Sequence, residues 1–158
     1  MEYRLDLNNL YKILELVSDY NCKLLPVIKG RNEEDILQLY NEGFREFGEN
    51  RLNELSDHAR FLPEARFHFI APLQSRKIRE IMNSCDFIHT LQRPKEILAI
   101  NECYENQDIF VQINIDDDPN KSGININEVD EFFDNFEGLK YFPVGIMCIP
   151  SFDADSKS

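Results

Sequence analysis

The run LLPVIK (Leu24–Lys29) ends an apolar stretch on a lysine and leads straight into RNEED, a polar and acidic segment. An ammonium beside an apolar wall is poorly solvated, so its pKa falls and more free amine becomes available. A free amine attacks an aldehyde to give a Schiff base. The alternative is a lysine whose stem lies on apolar surface while its head reaches water. Position alone leaves both readings open. Further along, FGEN carries Glu49 and Asn50, and ARFHFIAPL carries His68. Asn50 can hydrogen-bond an aromatic hydroxyl, or it can cap the helix suggested by NRLNEL. His68 can face a barrel interior or a helix; the alternative is a satisfied core histidine. QSRK (Gln74–Lys77) opens a helix and could meet an anion, although basic helix surfaces are common. Asp116–Asp118, in DDDPNKSG, lack the ordered ligands and closing glutamate of a calcium loop, so no metal is expected there. His58 and His89 have no partner spacing and read as surface or packing residues.

These groups need elements to position them. Short apolar runs at Leu24–Lys29, Glu46–Asn50, Arg66–Ala71, Phe87–Leu91, Ile109–Ile115 and Phe142–Ile149 read as strands, the first five beginning about 20 residues apart. Helix patterns lie between them. Asn32 can cap a helix opened by Glu33, Glu34 and Asp35, with Ile36, Leu37, Leu39 and Tyr40 inward and Gly43 at its end. Ser75 precedes Ile78, Ile81 and Met82, and Pro94 sits at a first helical position before Ile97 and Leu98. Val129, Phe132, Phe133 and Phe136 form a last stripe. Alternating strands and helices with near-continuous apolar strands imply a parallel sheet covered by helices, either an open doubly wound sheet or a (β/α)8 barrel. No glycine-rich nucleotide loop occurs. In both architectures ligands bind beyond the carboxyl ends of the strands, and Lys29 is the only lysine standing directly at one.

The chain of 158 residues is expected to form one domain over 1–150 with a polar tail, SFDADSKS, at 151–158. Acidic residues outnumber basic ones 29 to 17, giving a net charge of −12 that repels nucleic acid and anionic membrane. A phosphorylated ligand would need a local basic pocket. The first residues lack the basic start and uninterrupted apolar core of a signal peptide, and no run reaches membrane-spanning length. Four scattered cysteines without a C-x-x-C pair fit free thiols in a reducing, cytoplasmic setting.

Taken in order, LLPVIK, FREFGENRLNEL, FHFIAPLQSRK, FIHTL, VQINI with NKSGI, and GIMCIP resemble the pyridoxal-phosphate homeostasis proteins, single-domain relatives of the alanine racemase N-terminal barrel. The resemblance runs from Leu24 to Pro150. It implies a TIM-barrel-like (β/α)8 fold, of which about six βα units are encoded here. It also implies that pyridoxal 5'-phosphate is held as a Schiff base on Lys29. Asn50 matches a position lining the cofactor, Met147 one that flanks its ring, and His68 and Gln112 are lesser candidates. The implied role is binding and handing on the cofactor, in vitamin B6 balance, without robust catalysis. A racemase needs a second acid/base opposite the lysine, supplied in alanine racemase by another domain that this chain lacks. Implied partners are PLP-dependent apoenzymes that receive the cofactor, with the full-length form a monomer.

The sequence departs from the family in two places. Ala71 stands where the family usually has glycine. The segments that form the seventh and eighth strands and hold the phosphate have no counterpart, so a truncated chain and weak cofactor binding are expected. Two other readings compete. One is a Schiff-base lyase or racemase-like enzyme on the same barrel, with Glu49 as acid/base. The other is a non-binding remnant.

Overall fold

The computed structural model describes residues 5–151, so the expected tail lies, apart from Ser151, outside the described residues. Asp6 accepts the Asn9 amide at 3.1 Å and starts helix α1 (Leu7–Ser18). Asn32 does the same for Asp35, at 2.8 Å, and starts α2 (Glu33–Asn41), whose first turn carries three acids at the positive end of the helix. Strand β1 (Glu46–Glu49), α3 (Leu52–Phe61) and β2 (Arg66–Phe69) follow. A 3-10 turn at Ser75–Lys77 then runs into α4 (Ile78–Met82), β3 (Phe87–Leu91) and α5 (Pro94–Cys103). The chain continues through β4 (Asp108–Asn114), the short β5 (Ile124–Asn125), α6 (Val129–Asp134) and β6 (Gly145–Met147).

All pairings are parallel, in the order β1-β2-β3-β4, and β4 then carries β6 along Phe110–Gln112 and β5 along Ile113–Asn114. Consecutive strands are therefore spatial neighbours, as in a barrel wall. Side chains alternate between the two faces of the sheet. One face sends Phe47, Phe67, Ile88, Ile109 and Val111 into a core with Ile36, Leu55, Ile78, Ile81, Ile97 and Ile100 of the helices, all at most 2% exposed. On the other face the strands' side chains meet one another: His68 stacks on Phe87 at 3.8 Å and His89 on Phe110 at 4.7 Å. An α/β sheet with helices on one side and an aromatic interior on the other is an incomplete TIM-barrel-like wall, not a doubly wound sheet.

Three local expectations change. The expected first strand is reduced to a single bridge, Val27 with Gly48. Only the Ile28 amide (2.9 Å to Gly48 O) and the Pro26 carbonyl (2.8 Å from Gly48 N) reach β1, because proline has no N–H to give. Leu37 and Leu98, expected inward, are 41% and 61% exposed, since the buried arcs run through Ile36–Leu39 and Ile97–Ile100. The third change is β5, inside what reads as a loop. Gly123 permits it: at φ +121°, a Cβ there would lie 2.6 Å from the Asn114 amide nitrogen.

Candidate functional site

Lys29 sits at the corner of a tight turn. The Arg31 amide returns to Ile28 O at 3.0 Å, and Gly30 takes φ +64°, the left-handed value that the third residue of a type II turn requires. The Gly30 amide donates to Glu54 of α3 at 2.6 Å, which ties the turn to the start of that helix. Gly30 also helps hold the Glu54 carboxyl below its ordinary pKa, with Arg51 adding to the effect. Lys29 is exposed, and makes no ion pair or hydrogen bond among the described residues.

Glu49 and Asn50 have separate roles. Glu49 is fully buried, and its Oε1 accepts the Asn50 amide at 2.7 Å and the Arg51 amide at 3.0 Å. Its Oε2 lies 3.3 Å from Nδ1 of His58, itself only 8% exposed. The carboxylate thus steadies the entry to α3 from within the helix layer. The cap position is Arg51, without a side-chain cap bond, so Asn50 is not the cap. Asn50 Oδ1 is shielded from solvent and meets no donor among the described residues.

The sheet interior holds the histidines. His68 Nδ1 and His89 Nε2 are 2.8 Å apart, and Arg66 lies over the Phe87 ring at 4.2 Å. Among the described residues His68 Nε2 has no hydrogen-bond partner, with Glu46 at 3.8 Å. Burial first, and then the neighbouring His89, Arg66 and Lys23, together push the His68 pKa down to about 3. Burial lowers His89 as well. Reading His89 as a surface or packing residue missed this pairing. The signal was available, because HFI and IHT put histidines on adjacent strands of one sheet.

Gln112 and Met147 pair in register across β4 and β6 and line one cavity of about 210 Å³, with Ile70, Thr90 and Ser122. Gln112 donates to Ser122 O at 3.3 Å, while its Oε1, shielded from solvent, meets no donor among the described residues. A wider groove of about 770 Å³ crosses the carboxyl ends of β1–β3 and is lined by Asn50, Arg51, Glu54, Lys77 and Arg93 among others. The candidates therefore divide: Gln112 with Met147 in the inner cavity, Asn50 on the groove, His68 in the interior stack, and Lys29 on its turn, lining neither cavity. Asp116–Asp118 are engaged within their own loop, by Lys121, Asn125 and Asn114. No metal-binding cluster occurs among the described residues.

The family described as alanine racemase, N-terminal domain, matches residues 7–158. A pyridoxal phosphate homeostasis protein of Pasteurella multocida is 34% identical over 138 residues, covering 82% of this chain and 59% of its own length. One of Schizosaccharomyces pombe is 28% identical over 148 residues, covering 89% and 62%. The chain thus spans about three fifths of the length of these curated relatives. Among solved structures, PipY of Synechococcus elongatus, described with PLP bound, superposes with a TM-score of 0.75 at 22% identity, over 91% of this chain and 71% of its own. A Bifidobacterium adolescentis protein of unknown function gives 0.79 at 18% identity, over 99% and 77%. At these identities the likeness is one of fold.

Proposed function

We propose, since this chain belongs to the family of the alanine racemase N-terminal domain, that it binds pyridoxal 5'-phosphate and holds it on Lys29 as a carrier in vitamin B6 homeostasis. The observation that carries this reading is the exposed Lys29 amine, presented by a hydrogen-bonded turn just after the Val27–Gly48 bridge, with no ion pair among the described residues. When bound, the cofactor supplies an aldehyde that a lysine amine captures as a Schiff base. Two of the residues present offer chemistry that such a group can use. Among the described residues, Lys29 offers an amine with no ion pair and Gln112 Oε1 a buried acceptor with no donor.

In this reading Lys29 is the anchor, Asn50 contributes from the groove at the end of β1 and Met147 gives an apolar wall. Gln112 accepts one hydrogen bond from the ligand, and His68 stiffens the floor below. Supporting it, relatives carry the name pyridoxal phosphate homeostasis protein, which is not an enzyme name. Efficient turnover would need a second acid/base beside Lys29. Glu49, the residue an enzyme reading requires, is fully buried and engaged at the start of α3. PLP-dependent apoenzymes are the proposed recipients.

The test is an absorbance titration of the 158-residue chain with pyridoxal 5'-phosphate, then borohydride reduction and peptide mass mapping. The expected result is weak binding with one adduct, on Lys29, that Lys29→Ala removes. Adducts scattered over surface lysines, or none, would sink the carrier reading for this chain.

A further inference from the structure

Two helices start on the same sequence pattern and use it differently. In RLNE (Arg51–Glu54) and RPKE (Arg93–Glu96) an arginine at the cap position is followed, three residues on, by a glutamate. A glutamate placed there ordinarily reaches back to the cap residue's own amide, which a helix start leaves without a partner. Glu96 of α5 does so, accepting the Arg93 amide at 3.1 Å and the Gln92 amide at 3.2 Å. Glu54 of α3 does not. The Arg51 amide is already held by Glu49 Oε1 at 3.0 Å, and Glu54 Oε2 instead accepts the Gly30 amide, 24 residues away in the chain, at 2.6 Å.

The group that Glu54 reaches is the middle peptide of the Lys29 turn. The bond from the Arg31 amide to Ile28 O closes that turn but does not choose its type, because type I and type II turns share it. They differ by a flip of the peptide between the second and third residues, here Lys29 and Gly30, which changes ψ of the second residue by about 150°. Gly30, at φ +64°, stands on the type II side, and its N–H points to the Glu54 carboxylate. Glu54 is itself steadied by Arg51, whose Nη1 lies 2.6 Å from Glu54 Oε1 and 3.9 Å from the point a Gly30 Cβ would occupy.

We propose that Glu54 is a positioning residue for the Lys29 amine. By holding the Gly30 amide it keeps the middle peptide of the turn in one orientation, and so directs an aldehyde to Lys29 in preference to the other lysines of the chain. The inference rests on Lys29 being the anchor.

The test has two readouts, one of them free of cofactor. Amide exchange at Gly30 in the 158-residue chain, followed by NMR, reads the hold on the peptide. The share of borohydride-trapped pyridoxal 5'-phosphate found on Lys29, against the other lysines, reads its consequence. Glu54→Ala should speed Gly30 exchange about tenfold and lower the Lys29 share by a similar factor. Helix content by circular dichroism should not change, since Glu49 keeps the Asn50 and Arg51 amides. Glu54→Gln retains an oxygen for the Gly30 amide and should restore most of both readouts. Glu54→Asp, one methylene shorter, carries the same expectation as the alanine form and replaces it if that form misfolds. Glu80→Ala, on the exposed glutamate in the first turn of α4, should change neither. A Lys29 share that survives Glu54→Ala, a share that falls while Gly30 exchange stays the same, equal loss in the glutamine form, or equal loss in the Glu80 form would overturn the proposal. Absence of any Lys29 adduct in the wild-type chain, with Gly30 exchange still governed by Glu54, would instead sink the carrier reading beneath it.

Discussion

At the residue scale, buried polar groups set the chain's response to pH and separate its functional readings. His68 is 7% exposed, with its pKa pushed down to about 3, whereas the unfolded side chain titrates near 6.5. A group with a depressed folded pKa binds its proton more readily when unfolded. It therefore destabilises the fold as pH drops below about 6.5, with the loss growing toward pH 3. His89, lowered too and 2.8 Å away, shares the effect. The midpoint of thermal unfolding, followed by circular dichroism, should fall between pH 7 and pH 4.5, and His68→Leu should flatten that dependence. An unchanged slope in the variant would move the effect to other groups. Glu49 gives a second prediction. Removing its carboxylate in Glu49→Ala strands the Asn50 and Arg51 amides and should cost about 1–3 kcal/mol in urea unfolding. The Lys29 adduct should survive it; loss of the adduct in a folded variant would return Glu49 to the site.

At the element scale, ends and turns decide where the candidate residues stand. The Ile28–Arg31 turn and the Gly30–Glu54 bond fix Lys29 against α3. The loop after β4 is fixed by Gly123, whose amide donates to Gln92 Oε1 at 2.5 Å. Gly123→Ala brings a Cβ within 2.6 Å of the β4 backbone at a φ that L residues avoid, so it should destabilise by about 1–3 kcal/mol. Amide exchange should show β5 opening first; a neutral effect would mean that the loop relaxes freely. Such details were partly legible. Asn32 was readable as a cap because its chemistry is local. Leu37 and Leu98 were misplaced because the apolar stripe is wider than the arc the core covers. β5 was missed because two residues give no periodic signal.

At the scale of the whole molecule, the sheet has two outer edges. On one side the Pro26–Ile28 segment contributes a single bridge, and on the other β6 leaves Val144, Ile146 and Ile149 at least 58% exposed, with Phe142 at 63%. An open strand edge beside exposed apolar side chains favours association. Light scattering of this chain should show a mass that rises with concentration, and Ile146→Lys should reduce the rise. A concentration-independent monomer would show that the edge is protected in solution.

The sequence by itself determined the parallel α/β wall, most helix positions and the family, because periodicity, caps and ordered motifs are local and survive without coordinates. It also offered Lys29, the amine at the end of an apolar run. The tertiary structure alone decided which polar groups meet. Glu49 turns into the helix layer, His68 finds His89, Gln112 shares a cavity with Met147, and Glu54 reaches the Lys29 turn. Those outcomes depend on strand register and on which face each side chain takes, and a linear pattern carries neither until neighbouring strands are paired.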